Sequence, residues 1–241
     1  MDTEIQKTFN LLNFGIAEYQ RAWSLQKQLF FLRRCNQISD VLILLEHPPV
    51  ITVGKRGNEK NILASKEILR EEKISVFKIE RGGDVTYHGP GQLVGYPIMN
   101  IKNHGLSISK YIFKLEESLI CTIEKFGVAA ERREKYRGVF VGNRKIASIG
   151  IKVSGGVTMH GFALNVSTNL RHFKLIKPCG LSDIEMDSLE NLTLKRISTK
   201  DVRRRYSLCF ERIFEVKLRE SNLKEILSSS ISLQSSPRTG S

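Results

Sequence analysis

Cysteine is scarce in this chain: the 241 residues include four, and no two of them are close together. A small domain held together by disulfides is much richer in cysteine, so that class of protein is excluded. No Cys-x-x-Cys pair and no cysteine–histidine cluster is present, so a structural zinc site is not expected. We therefore expect reduced thiols and a core formed by hydrophobic packing, which a chain of this length can supply.

Long apolar runs are also missing. No segment approaches the ~18 consecutive apolar residues that a membrane span needs. Residues 1–10 contain two acidic residues and no apolar stretch, unlike a signal peptide. We expect a cytoplasmic protein that does not engage a membrane, and the sequence leaves a bacterial or an organellar origin open.

Acidic residues are outnumbered by basic ones, 25 to 38, which leaves a formal net charge of +13. Such a surface attracts acidic partners, whether nucleic acids, anionic membranes or acidic proteins. The imbalance is large between Lys195 and Arg219, where nine residues are basic and three are acidic. Composition does not decide whether this segment docks an acidic protein or is a solvated helix face.

Helical and strand-like patterns follow one another without strict alternation. Helices are predicted over residues 16–34, 62–73, 107–126 and 199–216, and strands over 40–46, 50–54, 74–80, 92–101, 139–142, 145–153 and 157–166. Gly142-Asn143 and Gly155-Gly156 are typical of hairpin turns. The pattern predicts a mixed α/β fold of the α+β type, with a largely antiparallel sheet flanked by helices. We assign residues 1–220 to one domain and predict that the serine-rich residues 221–241 are disordered.

The segment from Arg81 to Gln92 reads RGGDVTYHGPGQ and combines four glycines with arginine, threonine, tyrosine and histidine. Glycines allow positive φ angles and a close approach of the backbone to a ligand. Neither a Walker A loop nor a Gly-x-Gly-x-x-Gly fingerprint is present. The segment is either a ligand-binding loop or a tight connection, and a mere connection does not need these polar side chains together.

Three further positions could carry chemistry. Lys145 begins an apolar strand, where it either faces solvent or points inward as a perturbed amine. His160 interrupts another apolar strand, either as a buried core histidine or beside a ligand for which small neighbours leave room. Cys179 lies between proline and glycine in a loop, where a nearby cation would favour the nucleophilic thiolate; an incidental loop thiol is the alternative.

At these residues the chain resembles the lipoyl(octanoyl) transferase family, also called octanoyl-[acyl-carrier-protein]:protein N-octanoyltransferase, of the biotin/lipoate protein ligase superfamily. The family's Arg-Gly-Gly-x-x-Thr-aromatic-His pattern is met in full within residues 81–92. Three further family segments are present. Residues 142–150 read Gly-Asn-Arg-Lys-Ile-Ala-Ser-Ile-Gly, residues 160–165 match His-Gly-x-Ala-Leu-Asn, and residues 178–180 read Pro-Cys-Gly. Phe162 departs from the pattern, since an aliphatic residue is usual there. The resemblance runs from about residue 8 to about residue 215.

This resemblance implies the fold of the biotin/lipoate protein ligase catalytic domain and the first step of endogenous protein lipoylation. An octanoyl or lipoyl group would pass from octanoyl-acyl carrier protein to a specific lysine of a lipoyl domain, in 2-oxoacid dehydrogenases or the glycine cleavage H protein. Cys179 would carry the group as a thioester, with Lys145 as its partner. A monomer without metal, cofactor or nucleic acid is expected. The substrate contacts implied are Arg81, Gly82, Gly83, Asp84, Val85, Thr86, Tyr87, His88, Ser148, Ile149, Gly150, Gly161, Phe162 and Ala163.

Three alternatives stay open. An ATP-dependent lipoate or biotin protein ligase has the same fold but needs no cysteine, and this chain lacks a biotin-ligase-like Gly-Arg-Gly-Arg run. A nucleic-acid-binding module would suit the charge, yet no motif of that class is present. A cysteine–histidine hydrolase could pair Cys179 with His88 or His160 and would use water as the acceptor.

Overall fold

A computed structural model gives the fold and describes residues 7–134, 136–177 and 184–232. The α-helices are Tyr19–Arg34 (α1), Lys66–Glu71 (α2), Ile108–Glu124 (α3), Leu189–Thr193 (α4), Thr199–Phe214 (α5) and Leu223–Ser232 (α6). The strands are Lys7–Ile16 (β1), Val41–Glu46 (β2), Val50–Val53 (β3), Ser75–Lys78 (β4), Val85–His88 (β5), Gln92–Ile98 (β6), Glu131–Arg133 (β7), Tyr136–Val141 (β8), Arg144–Ser154 (β9), Val157–Asn165 (β10), Glu185–Met186 (β11) and Val216–Glu220 (β12). Among these helices, none is long and apolar enough to cross a membrane.

The strands form a large mixed sheet and a small one. The large sheet has the order β12-β1-β2-β6-β10-β9-β8-β7, and β11 pairs with β9 beside this path. Strands β12, β1 and β2 are parallel, whereas each pairing from β2 to β7 is antiparallel. In the small sheet β3 lies between β4 and β5. The predicted mixed, largely antiparallel sheet flanked by helices is confirmed.

Helices cover both faces of the large sheet because its central strands are apolar on both faces. In β2, Leu42 and Leu44 belong to the core under α3 and α5. Ile43 and Leu45 belong to the core under α1. Side chains alternate along a strand, so one buried strand supplies both cores. Ser198 caps α5 as its sequence predicts, since its hydroxyl accepts a hydrogen bond from the backbone nitrogen of Asp201 at 3.1 Å.

Several elements differ from the sequence prediction. Strands β1 and β12 were not predicted, and β5 lies inside the segment interpreted as a glycine-rich loop. The helix α6 occupies 223–232, where a disordered tail is predicted, and Ile226 of this helix is buried in the core under α1. An apolar side chain that finds a core stabilises a segment whose composition alone favours disorder. Residues 233–241 lie outside the described residues.

The expectation of reduced thiols is wrong for two of the four cysteines. Cys121 on α3 and Cys209 on α5 form a disulfide across 88 residues of chain, with their Cα atoms 6.0 Å apart. Both are buried, whereas Cys35 is an exposed free thiol. Distance along the sequence conceals the pairing, because the two helices pack side by side only in the folded chain.

Candidate active site

A cavity of about 480 Å³ opens where the two sheets meet, and three of the segments singled out in the sequence form its wall. Strands β9 and β10 are antiparallel neighbours, with Gly150 opposite Gly161 and Ser148 opposite Ala163. The segment before β5 joins them because Gly82 donates a backbone hydrogen bond to the carbonyl oxygen of Ile151 at 2.8 Å. Residues separated by about 80 positions therefore share one wall.

All but one of the fourteen expected substrate contacts line this cavity. Those that do are Arg81, Gly82, Gly83, Asp84, Val85, Thr86, His88, Ser148, Ile149, Gly150, Gly161, Phe162 and Ala163. The exception is Tyr87, which is not part of the wall. It is neighbour to His88 on a strand, and successive side chains point to opposite faces. Its hydroxyl lies 2.7 Å from Nδ1 of His172, and its ring packs on Phe173.

Arg81 is buried, and its guanidinium group braces the chain around the cavity. Its Nε and Nη2 donate to the hydroxyl of Thr52 at 3.1 and 3.0 Å, and Nη2 also donates to the Thr52 carbonyl oxygen at 2.6 Å. Its Nη1 donates to the Gly82 carbonyl oxygen at 3.0 Å. These bonds hold a positive charge beside the cavity and tie the segment before β5 to β3, so Arg81 serves the fold as well as the site.

Two positions in the wall require glycine, one because of its backbone conformation and one because of close packing. Gly83 has a φ of +90°, a conformation in which a side chain is strained. At Gly161 a Cβ atom would lie only 2.1 Å from the carbonyl oxygen of Gly95 on β6. A side chain at either position would distort the wall, so both positions require glycine in this fold.

Lys145 lines the cavity, so the inward-facing alternative is the one that the structure shows. Its carbonyl oxygen accepts a hydrogen bond from the backbone nitrogen of Asp187 at 2.9 Å, which anchors the start of β9 to β11. Its Nζ lies 5.5 Å from the ring centre of Phe140. The carboxylate of Glu116 is close enough to interact with Lys145, although burial is the main influence on Glu116 and raises its pKa. The ammonium group therefore has a defined environment beside the cavity.

Cys179, with Pro178 and Gly180, lies outside the described residues. The first described residue after this segment is Ile184, which lines the cavity. Met186, two residues further on, also lines it and pairs with Lys145 in the β11–β9 ladder. The described chain on the far side of Cys179 thus runs directly along the cavity wall.

Three buried histidines lie at or beside the cavity: His88 and His160 line its wall, and His47 packs against His88. Burial lowers the pKa of His88 to about 3 and that of His47 to about 4. Burial also lowers the pKa of His160, which has a φ of 59° in the middle of β10. The His160 backbone nitrogen donates to the side-chain oxygen of Gln26 at 3.0 Å. His160 is thus both a buried core residue and part of the wall, which joins the two alternatives left by the sequence.

Sequence reasoning did not single out ten further lining residues. They are Tyr19, Arg56, Tyr96, Ile112, Tyr136, Arg137, Ile151, Phe173, Ile184 and Met186. Several are apolar residues on elements that look like ordinary core helices or strands. Arg56 lies in the turn after β3 and Arg137 lies in β8; both are exposed, and only the fold brings them to one cavity. The spacing of these residues carried no signal that could have identified them.

Comparison with known proteins identifies the family. The model of the lipoyl protein ligase A/B catalytic domain matches residues 18–211. The chain belongs to this family. An octanoyltransferase of Caldicellulosiruptor bescii is 50% identical over 207 residues, which cover 85% of this chain and 91% of that protein. An octanoyltransferase of Desulforamulus reducens is 43% identical over 217 residues, covering 88% and 95%.

Solved structures of lipoate protein ligases have the same fold. A lipoate-protein ligase A bound with ATP superimposes with a TM-score of 0.71 over 98% of this chain and 97% of its own, at 13% identity. A bipartite lipoate protein ligase from Thermoplasma acidophilum gives a TM-score of 0.69 over 94% and 92%, at 15% identity. At such low identity these neighbours support the fold alone. The relatives at 43–50% identity make this family member an acyltransferase.

Proposed function

We propose that this acyltransferase moves an octanoyl group from acyl carrier protein to a lysine of a lipoyl domain, through a thioester on Cys179. The observation that carries the proposal is the convergence of three family segments on one cavity that also contains Lys145. The relatives named octanoyltransferase indicate which acyl group is transferred, and one structural neighbour is a bipartite lipoate protein ligase described with its E2 lipoyl domain. This transfer is the first step of endogenous protein lipoylation.

The chemistry divides into two exchanges at one carbonyl carbon. The Cys179 thiolate attacks the octanoyl carbonyl, a carbon–sulfur bond to the enzyme forms, and the bond to the carrier sulfur breaks. The proton lost by Cys179 leaves on the carrier thiol. The amine of the acceptor lysine then attacks, its nitrogen–carbon bond forms, and the proton that it loses ends on the released Cys179 sulfur. Lys145 acts as the cation that favours the thiolate and as the group that moves the proton.

The cavity wall suits an acyl chain. Its apolar part includes Ile112, Ile149 and Phe162, while its small residues leave space along β10. Removing an octanoyl chain from water is worth about 5 kcal/mol at ~0.8 kcal/mol per methylene. Such a slot binds the donor and measures the length of its chain by depth.

The charge at the wall suits acidic protein partners. Arg56 and Arg137 are exposed where they line the cavity, and the net charge of the chain is +13. Opposite charges raise association rates, which fits two carrier domains that must dock in turn. The arginines of α5 are less suited, because Arg204 and Arg205 both pair with Asp201. We therefore place the docking surface at the cavity mouth rather than on the basic segment from Lys195 to Arg219.

Intact-mass measurement after incubation with octanoyl-acyl carrier protein tests the proposal. Without an acceptor and without ATP, we expect one octanoyl adduct per chain, located by peptide mapping at Cys179 and absent from a Cys179→Ser variant. The matched control is Cys35→Ser, which removes an exposed thiol that is outside the cavity wall and should acquire the adduct normally. Adding a lipoyl domain should then move the adduct to its lysine.

Two results would contradict the proposal. An adduct on Cys35 would remove Cys179 from its role, and transfer that requires ATP would assign the chain to the ligase branch of the fold. Alkylation of Cys179 tests the partner residue separately. A Lys145→Ala variant should lose reactivity near neutral pH because the cation beside the thiolate is gone; an unchanged pH profile of alkylation would show that Lys145 is not the activator.

A further inference from the structure

A chain of buried side-chain hydrogen bonds ends at the ring of His88. Nδ2 of Asn165 donates to the carbonyl oxygen of Asp187 at 3.0 Å. Nε2 of Gln92 donates to Oδ1 of Asn165 at 2.9 Å. Oε1 of Gln92 lies 2.8 Å from Nδ1 of His88. We call these three side chains and the Asp187 carbonyl the amide relay; its side chains are all buried.

The amide relay has only one consistent direction. A backbone carbonyl oxygen can only accept, so Asn165 turns its nitrogen to Asp187 and its oxygen to Gln92. Gln92 must then donate through its nitrogen, which also donates to the carbonyl oxygen of Tyr87 at 3.3 Å. The oxygen of Gln92 therefore faces His88, and Nδ1 of that ring has to carry a proton.

The unprotonated nitrogen of the neutral His88 ring is consequently Nε2. Burial keeps the ring neutral, since it lowers the pKa of His88 to about 3. A neutral imidazole has one proton, and the amide relay holds that proton on Nδ1. His88 lines the cavity, and Nε2 is the ring nitrogen that the bond to Gln92 leaves available. Its surroundings include the rings of Tyr19 and His47, and Arg81 and His160 are also close enough to interact with it.

The lone pair on Nε2 selects the kind of group that His88 can bind, namely a hydrogen-bond donor. The acyl end of a thioester offers a carbonyl oxygen and an apolar chain, neither of which donates. Two reacting groups donate: the Cys179 thiol, whose proton the proposed function assigns to Lys145, and the amine of the acceptor lysine, which has no acceptor assigned to it. The amide relay also ends at Asp187, whose backbone nitrogen holds the carbonyl oxygen of Lys145 at 2.9 Å. One residue thus fixes both the proton position of His88 and the start of the strand that carries Lys145.

We propose that Nε2 of His88 accepts a hydrogen bond from the attacking lysine amine, and that Gln92 and Asn165 are positioning residues that hold His88 in the required tautomer. The inference rests on the proposed function and adds a catalytic residue to it. A hydrogen bond from one N–H to His88 orients the amine and leaves its lone pair free to attack the thioester carbonyl. His88 does not keep the proton, which still ends on the released Cys179 sulfur.

The tautomer can be measured without any activity. In protein labelled with ¹⁵N at histidine, the His88 ring should give one protonated and one unprotonated nitrogen at neutral pH, with the proton on Nδ1. Loss of the signal in a His88→Asn variant assigns it. A proton on Nε2, or a doubly protonated ring, would overturn the inference whatever the enzyme does.

The two half-reactions test the catalytic part. In a His88→Asn variant the new amide can still donate to Gln92, but it has no group at the position of Nε2. Formation of the acyl-enzyme should stay close to wild type, while single-turnover transfer to a lipoyl domain should fall on the order of tenfold or more. The matched control is His172→Asn, which makes the same change at a ring outside the cavity wall and should alter neither step.

A Gln92→Glu variant tests the positioning part. Its carboxylate still accepts from Nδ1 but stabilises the charged ring, which has no lone pair on Nε2. The transfer rate relative to wild type should fall at neutral pH and recover as the pH rises, a pattern that a purely structural defect would not produce. Equal losses in both half-reactions of His88→Asn, or a loss in Gln92→Glu that does not depend on pH, would overturn the inference. If wild type forms no acyl-enzyme, the proposed function fails and this role of His88 falls with it, although the tautomer measurement would still stand.

Discussion

At the scale of single residues, the residue types and their neighbours in the sequence predicted much of the cavity wall. Arginine, threonine and histidine among glycines indicated a site, and these residues do share one wall. Tyr87 shows the limit of such reasoning. The sequence pattern of residues 81–92 indicates a ligand-binding loop or a tight connection, and a loop makes every one of its side chains a candidate for ligand contact. The structure forms strand β5 there, and the strand turns Tyr87 toward His172 and away from the cavity.

The ring of Phe162 should set the length of the acyl chain that the cavity accepts. It lines the cavity and packs against Tyr206 with 4.5 Å between ring centres. A Phe162→Leu variant opens space in the wall, so the rate of decanoyl transfer relative to octanoyl transfer should rise. Each additional methylene that is accommodated is worth ~0.8 kcal/mol, or roughly fourfold in this ratio. Single-turnover transfer from the two donors measures it.

Tyr206→Phe is the matched control for this prediction. It removes only the hydroxyl that lies 3.3 Å from the Ser118 hydroxyl, and Tyr206 is not part of the cavity wall. The ratio of the two donors should not change in this variant. A ratio that stays constant in Phe162→Leu as well would show that the ring does not bound the acyl chain.

At the scale of elements, the segments with a strong local pattern were predictable and those that depend on distant partners were not. The helix predicted over residues 107–126 appears as α3 at Ile108–Glu124, because a capping serine and an apolar stripe define it locally. Strands β1 and β12 pair with each other in parallel although they are about 200 residues apart. Neither strand is next to a hairpin turn that would indicate its pairing from the sequence. The disulfide between α3 and α5 was missed for the same reason.

That disulfide should contribute measurably to stability. Linking Cys121 to Cys209 closes a loop of 88 residues and restricts the unfolded chain, which the loop-entropy model values at about 4–5 kcal/mol. A Cys209→Ala variant should therefore lower the free energy of unfolding by roughly 2–5 kcal/mol in denaturant titrations. Cys35→Ser changes an exposed thiol and should stay within about 0.5 kcal/mol of wild type.

Thiol counting decides the prediction independently of stability. In unfolded protein, a thiol reagent should find two more groups per chain after treatment with a reductant than before it. Equal counts would mean that Cys121 and Cys209 remain thiols, and the loss in Cys209→Ala would then reflect packing alone.

At the scale of the whole molecule, the site is a product of sheet topology. Residues 82, 150 and 161 meet because β9 and β10 are neighbours and the segment before β5 bonds to β9. Order along the chain does not contain this information, although the resemblance to a family supplied it indirectly. The same convergence buries several histidines, and burial of a titratable ring has a consequence for the stability of the entire fold.

Stability should fall as the pH drops below 6.5, because buried His47 is neutral in the folded protein. Its Nδ1 donates to the carbonyl oxygen of Ala17 and its Nε2 accepts from the hydroxyl of Tyr96, each at 2.7 Å. Burial lowers the pKa of His47 from 6.5 to about 4, so the unfolded chain binds a proton in this range that the folded chain does not. The stabilisation is thus fully present above pH 6.5 and is lost toward pH 4. The loss attributable to His47 is about 3 kcal/mol.

Denaturant titrations at several pH values, with His47→Gln beside wild type, isolate this contribution from that of the carboxylates. The variant should be less stable at pH 7 but lose less free energy of unfolding between pH 6.5 and 4. Its slope should be smaller by up to ~1.4 kcal/mol per pH unit, the value of one proton. Tyr96→Phe is the control, since it removes the hydroxyl partner but keeps the titrating ring, and it should lower stability without reducing the slope. Parallel curves for His47→Gln and wild type would mean that His47 is protonated equally in the folded and unfolded chains, which its two hydrogen bonds in the neutral form do not allow.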